Sequence, residues 1–471
     1  MKTQHNSPRG HMDRTRIVAF RRTRVILLCA TLTASVSSVG QPQASSPAAL
    51  DSIIQHAVAA QHIPGIVAYV SRADRVLLSK AYGLADVRRH QATTLETPFP
   101  IASISKTFTA SLVYALADRG RLSVDQPIGV YLNDLPPWKD SITVKQLLTH
   151  TSGLPEFWDM PGAEETRGTE RSARDLIRLF ESKPLWDRPG THFRYSLSSW
   201  IVLGALIEHV TQTPYADALQ QYIIAPLKLT STAYCGTTKY PAANATGFRW
   251  DDRGDSLITG DMRGVIGTYT AGGVCASAID VAHFASALLS GRLIERASLT
   301  NMLTPPALTR KSGNGAGIFL GDYAGHAFFS HSGSLKAGFQ SELAVFPADS
   351  LTVVLVANQY DANLQAIRFE IVSAVLGLAP KVLDLPLSKD SMNAYAGRYP
   401  TDGTNRLIFF ERDGRLHGAG GILLYQGDHT FVPSGQPETR VVFTMSNGKA
   451  IAMELYRDGM LLLAGERALA P

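Results

Sequence analysis

The chain has 471 residues, 45% of them apolar and 18% charged, enough to bury a large core and to form more than one domain. Its formal charge of +5 is misleading, because residues 1–40 carry +6 and residues 41–471 carry −1. The basic balance therefore belongs to the leader and gives no reason to propose a nucleic-acid partner.

Residues 1–40 read as an export signal: a basic n-region, the apolar run VILLCATLTASVSSV, then Ser38 and Gly40 as small residues at the −3 and −1 positions. Translation could instead begin at Met12. The apolar run is well short of the ~20 residues that span a bilayer, so a membrane anchor is the weaker reading. Cys29 follows Leu27-Leu28, which leaves lipid attachment a minor alternative. The mature protein is expected in the periplasm or outside the cell. Cys235 and Cys275 then remain; they could pair in an oxidising compartment, but two cysteines in a large domain are more often packed thiols.

After the leader, LDSIIQHAVAAQH reads as a short helix, and IVAYVSRADRVLLSKAYG as a hairpin turning at Ala73-Asp74. Helical patterns follow over Ser103–Ala117, Ser172–Glu181 and Ser199–Val210. HAFFSH, GFQSELAVF and LTVVLVAN are three strand-like runs in succession. Strands, then helices, then strands again imply an antiparallel sheet whose first and last strands come from opposite ends of the domain. Pro, Lys and Asp interrupt the pattern at 380–391. Beyond it, short alternating strands turn at Asp413-Gly414, Asn447-Gly448 and Asp458-Gly459. The expected division is a leader over 1–40, a large domain over 41–385 and a small all-β domain over 392–471.

The chemistry centres on IASISKTFTA, residues 101–110. Ile104, Phe108, Leu112, Val113 and Leu116 share an apolar helix face, which puts Ser103 at the helix N-terminus, where free N–H groups favour negative charge. Lys106 lies one turn on and faces the same side. A serine needs a nearby proton acceptor, and a lysine with a lowered pKa can serve. The motif string alone is cheap, since Ser446-Asn447-Gly448-Lys449 repeats it in what reads as a hairpin turn. A capped helix with an exposed lysine is the blander reading of those ten residues.

Three further stretches change the balance: LLTHTSGLPEF (147–157), FRYSLSSWIVLGALIEHVT (193–211) and FFSHSGSLKAGF (328–339). In this order the chain resembles the serine β-lactamase and penicillin-binding-protein superfamily, nearest its class C β-lactamase, DD-peptidase and esterase branch. The resemblance covers roughly residues 48–380 and includes the framework stretches GLADV and AGGVCASAIDVAHFASALLSGRL. It implies an α/β (α+β) sandwich, an antiparallel sheet flanked by helices, with an all-helical lobe beside it. YAGRYP at 395–400 is similar to the lipocalin-like appendage that follows some of these hydrolases.

Carried over residue by residue, Ser103 is the acylated nucleophile and Lys106 helps take its proton. Tyr195 matches the tyrosine that shares the proton and later activates water, for which its pKa of ~10 must be lowered by positive charge. The backbone N–H groups of Ser103 and Ser334 form the oxyanion hole, each worth roughly 10²–10³ in rate. His331, Ser332 and Gly333 match the substrate-binding strand motif; His331, if charged, attracts a substrate carboxylate or supports Tyr195. The glycine permits close backbone approach to a ligand.

Leu197 is the departure, standing where the family commonly has the asparagine of Tyr-x-Asn. It cannot hydrogen-bond a substrate amide, which moves weight from β-lactams and D-peptides toward esters or an unusual amidase. Tyr131-Leu132-Asn133 has the missing pattern but falls in framework and reads as a decoy. The expected function is an exported serine hydrolase acting on a small-molecule or peptide substrate, with no cofactor, metal or nucleic acid. A non-catalytic relative that binds ligands with the inherited cleft is the alternative. No Gly-x-Ser-x-Gly elbow, His-Glu-x-x-His string or completed dinucleotide fingerprint is present, and GNGAG at 313–317 reads as a loop.

Overall fold

The computed structural model describes residues 46–471 except 236–244, 252–253, 255, 379–381, 383, 402–405, 419–420, 435, 437–438, 458–459 and 469–471. The expected export leader and the expected Asp458-Gly459 turn therefore lie outside the described residues. Among the described residues no helix is long and apolar enough to cross a membrane.

Seven antiparallel strands form the main sheet: β1 (Gly65–Arg72), β2 (Arg75–Asp86), β3 (Gln91–Ala92), β4 (Phe319–Tyr323), β5 (His326–Leu335), β6 (Phe339–Phe346) and β7 (Leu351–Ala357), in the order β3-β2-β1-β7-β6-β5-β4. The first and last strands meet at the centre, with Ile66 opposite Ala357 and Arg72 opposite Leu351. Alternating side chains fill two cores. Ile66, Ala68, Val70, Val353 and Leu355 pack with Leu50 and Ile54 of helix α1 (Pro47–Gln61). Val67, Val354 and Val356 face the opposite way, toward helix α2 (Ile104–Asp118). Burial on both faces explains why LTVVLVA is an unbroken apolar run rather than an alternating one. The β1–β2 turn does fall at Ala73-Asp74.

The helical pattern at Ser199–Val210 extends to α3 (Leu197–Thr211). The one over Ser172–Glu181 is helical only over Ala173–Ile177, after which i→i+3 bonds from Leu179 and Phe180 tighten the chain into turns. Helix α4 (Ala278–Leu289) stacks Phe284 on Phe108 of α2, ring centroids 3.8 Å apart. On the opposite sheet face, α5 (Leu364–Leu376) sends Arg368 to Glu342 of β6, 2.9 Å apart and both almost fully buried.

The chain then enters α6 (Lys389–Tyr395) and an eight-stranded antiparallel meander, β8 (Gly397–Pro400), β9 (Arg406–Arg412), β10 (Arg415–Gly418), β11 (Gly421–Gly427), β12 (Thr430–Pro433), β13 (Thr439–Ser446), β14 (Lys449–Arg457) and β15 (Met460–Glu466). The Ala468 N–H donates to Arg398 O at 2.8 Å, and Thr401 bridges Gly465, so the last strand folds back beside the first and the sheet nearly closes as a barrel. Its core is its own: Tyr395, Tyr399, Phe409, Phe431 and Phe443. Asn447 and Gly448 both have positive φ, as a tight β13–β14 hairpin requires, and the second Ser-x-x-Lys string is that turn.

Candidate active site

Ser103 is the N-cap of α2, and the residue before it, Ala102, is held at φ 48°, a left-handed conformation that costs an alanine roughly 1–2 kcal/mol. Its neighbours hold the turn: Ile101 N–H donates to Val274 O at 3.0 Å and the buried Ser105 hydroxyl accepts from Val274 N–H at 3.0 Å. From the other side β5 presses in at Gly333, where a Cβ would stand 2.2 Å from Ile101 O and 2.9 Å from Ala102 Cβ. The glycine is needed for close approach to the serine's own turn. Gly317 of GNGAG plays a similar part behind α2: its φ is 65°, and a Cβ there would stand 2.7 Å from Trp200 and 2.9 Å from Lys106 O.

Lys106 is 3% exposed. Its ammonium donates to Ser103 Oγ at 3.1 Å and to Ala271 O at 3.0 Å, and lies 4.8 Å from the centre of the Tyr195 ring. Tyr195 is 44% exposed at the cavity wall, with its ring stacked on His150 at 4.4 Å. Leu197, the first residue of α3, lines the same cavity.

Two of the sequence stretches prove to be one structure. The loop after the Val144–Leu148 helix is bonded along the start of α3: Ser152 Oγ to Ser199 Oγ at 2.9 Å, the Ser198 hydroxyl to Pro155 O at 2.6 Å, and Leu197 N–H to Glu156 Oε2 at 2.8 Å. Glu156 thus accepts from one of the free N–H groups of α3 while facing the cavity. Burial pushes its carboxyl above the usual range, against the opposing pull of the Leu197 N–H. Neither His150 nor Glu156 was legible as a site residue, since Thr-Ser-Gly-Pro composition reads as turn chemistry and hides what the flanking side chains touch.

His150 is buried, and burial together with Lys106 and His331 drives its pKa well below the ordinary imidazole value. Ser196 N–H reaches its Nδ1 at 3.0 Å and Trp200 Nε1–H reaches its Nε2 at 3.1 Å. A neutral imidazole accepts at one nitrogen only, so one of these contacts at a time is a hydrogen bond.

His331 is shut away from water on β5. It is 2% exposed, its Nδ1 lies 2.7 Å from Ser332 O, and burial with the nearby Lys106 pushes its pKa down to about 3. A neutral imidazole offers no cation to a substrate carboxylate. The ring instead packs on Phe319, centroids 4.9 Å apart, and Phe319 also faces Tyr195 at 6.5 Å.

The cavity has a volume of about 760 Å³. Ser103, Lys106, Tyr195, Leu197 and Ser334 line it, whereas His331, Ser332 and Gly333 form the strand behind. Pairing with β4 ends at Ser330 opposite Phe319, so the Gly333–Leu335 stretch has β6 on one side and no β4 partner on the other. Tyr131 stands elsewhere, its hydroxyl accepting from Ser123 N–H at 2.7 Å. Cys235 and Cys275 form a disulfide, against the packed-thiol expectation. The strands Ala233–Tyr234 and Val274–Ala276 pair with Ala233 opposite Cys275, bringing together cysteines 40 residues apart.

An antiparallel sheet of this order, with a serine–lysine pair at the start of the helix packed on it, is the β-lactamase/transpeptidase-like fold. The chain belongs to the beta-lactamase family, whose model matches residues 50–374. Protein flp of Staphylococcus aureus (strain COL) is 30% identical over 206 residues, covering 42% of this chain and 40% of that one; the chain thus spans about two fifths of that relative's length. Two solved structures extend the likeness. The octameric penicillin-binding protein homologue from Pyrococcus abyssi matches 88% of this chain and 99% of its own, with TM-score 0.64 at 22% identity. A D-stereospecific amidohydrolase from Streptomyces sp. matches 71% of this chain and 100% of its own, with TM-score 0.59 at 26% identity.

Proposed function

We propose that this protein is an exported serine hydrolase that forms an acyl-enzyme on Ser103. The observation that carries the reading is the 3.1 Å contact between the buried Lys106 Nζ and Ser103 Oγ at the wall of an open cavity. In the proposed cycle the Ser103 oxygen attacks the carbonyl carbon as its proton passes to Lys106 Nζ, acting as the free amine, and Tyr195 relays it toward the leaving group. The oxyanion is received by the N–H groups of Ser103 and Ser334, the leaving amine or alcohol departs with the proton, and water then releases the acid. The unpaired edge of β5 beyond Ser330 suits a substrate laid alongside as a short strand.

Among substrates, amides of D-amino acids and short D-peptides lead. The Streptomyces relative of known structure is a D-stereospecific amidohydrolase, and Glu156 offers the cavity a carboxyl where Leu197 offers no amide. Glu164 and Asp261, the other carboxylates on the wall, are engaged by Arg167 and Arg263. Glu156 accepts from Leu197 N–H and is also held by the Ser196 side chain and the Trp158 backbone, with no cation bound to it among the contacts described, and can receive a substrate amino group. Export is supported by the leader pattern and by the disulfide, a bond that persists in oxidising compartments.

Intact-mass spectrometry tests the reading, using a fluorophosphonate, a β-lactam, an activated ester and a D-amino-acid amide in turn. The expected result is an adduct of one acyl or phosphonyl group with at least one reagent, absent in Ser103→Ala. Folded protein that takes no adduct from any of them would instead be a binding relative using the inherited cleft.

A further inference from the structure

Ser334 and Tyr360 line the catalytic cavity and also a second one, of about 400 Å³, on the far side of the β5 strand end. The second cavity opens between the hydrolase body and the C-terminal barrel. Its walls are polar: Ser332, Gln340 and Glu342 from β5 and β6, Asp361 and the start of α5 from the segment after β7, and Gln436 and Arg457 from the barrel. Arg457 is the one cation among the residues lining it. Its Nη1 donates to Gln365 Oε1 at 3.0 Å, while its Nε is buried without a hydrogen-bond partner among the described residues. An incoming carboxylate finds its matching donor in the guanidinium that lines the cavity. The two carboxylates on the wall leave it available: Glu342 is paired with Arg368, and Asp361 accepts from Trp250 N–H at 2.9 Å. The first turn of α5 adds a positive dipole end to the same wall.

We propose that this second cavity is the leaving-group subsite, and that Arg457 of the barrel holds a free carboxylate on the part of the substrate that departs. The inference rests on the hydrolase reading above. Peptides whose leaving residue is C-terminal carry such a carboxylate; simple amides and esters do not. The barrel then acts as one wall of the substrate site, and a substrate acylating Ser103 reaches it past Ser334 and Tyr360.

The test uses the full chain carrying Ser103→Ala and calorimetric binding of a D-alanyl dipeptide acid and its carboxamide. The acid should bind at least tenfold more tightly than the carboxamide, and Arg457→Gln should remove that difference without lowering the melting temperature. Arg457→Lys, which keeps the charge, should retain part of the preference and guards against a folding defect in the first variant. In the active protein, Arg457→Gln should raise KM for the dipeptide acid about tenfold while kcat and the rate of Ser103 labelling by a fluorophosphonate stay unchanged. Equal binding of acid and carboxamide, or an Arg457→Gln variant that keeps the preference, overturns the proposal. So does inorganic phosphate binding as tightly as the dipeptide acid. Failure of fluorophosphonate labelling overturns the hydrolase reading instead, and leaves the binding comparison readable.

Discussion

Lys106 and His331 lie close together beside Ser103, and the fold treats them differently. The lysine is supplied with the Ala271 carbonyl and the Ser103 hydroxyl, while the imidazole is shut away from water with one backbone carbonyl as its partner. Because the folded pKa of His331 is about 3, against ~6.5 for an unfolded histidine, the unfolded chain binds more protons through that interval. Stability is therefore full above pH ~6.5 and falls as pH drops toward 3, by about 3 kcal/mol at pH 4 from this residue alone. His150 acts in the same direction. Urea unfolding of His331→Gln at pH 7 and pH 4 should show a smaller loss than the parent; an identical loss would place the acid sensitivity elsewhere. At Leu197 the relevant quantity is a hydrogen bond to a substrate amide. Leu197→Asn is expected to raise the ratio of amide to ester kcat/KM about tenfold, the value of one such bond. A ratio that does not move would show that position 197 does not set the preference.

Among the elements, the start of α3 shows how far apart a site's parts lie in the chain. Tyr195, Leu197 and Trp200 were readable as an aromatic and apolar helix start, but the groups they touch come from the loop at 150–156, which supplies the stacking ring and the carboxylate. The pairing of Ala233–Tyr234 with Val274–Ala276 is cross-linked by Cys235–Cys275, next to the Val274 groups that hold the Ser103 turn. Closing a 40-residue loop is worth roughly 4 kcal/mol on a chain-entropy estimate. Reduction, or Cys235→Ser with Cys275→Ser, should lower the melting temperature by several degrees in calorimetry. An unchanged melting temperature would mean that the local strand pairing holds without the bond.

For the whole molecule, three separate apolar clusters matter: two on either face of the main sheet and one inside the barrel. The sequence break at 380–391 was legible from Pro, Lys and Asp, but the side on which its residues dock was not. Asp384 pairs with Arg415, and Leu385 N–H donates to Tyr425 O at 2.9 Å, so these residues sit on the barrel, as do Leu387 and, in its core, Tyr395 of α6. The chain from Asp384 onward is thus bonded to the barrel. A chain ending at residue 378 should fold, label at Ser103 and lose discrimination between dipeptide acid and carboxamide; loss of folding would show that the barrel is integral to the hydrolase body.

By itself the sequence determined the elements and their order, because apolar periodicity, hairpin turns and a serine at a helix start are local properties of the backbone. It also carried the Ser103–Lys106 pair, since residues one helical turn apart meet whatever surrounds them. Only the tertiary structure decided that Cys235 and Cys275 are joined, that His331 is shut away from water, and that Gly333 makes room for Ala102. It alone placed Glu156 beside Leu197 and Arg457 beside the second cavity. Each of those outcomes depends on desolvation or contact between segments tens to hundreds of residues apart, and neither leaves a trace in local spacing.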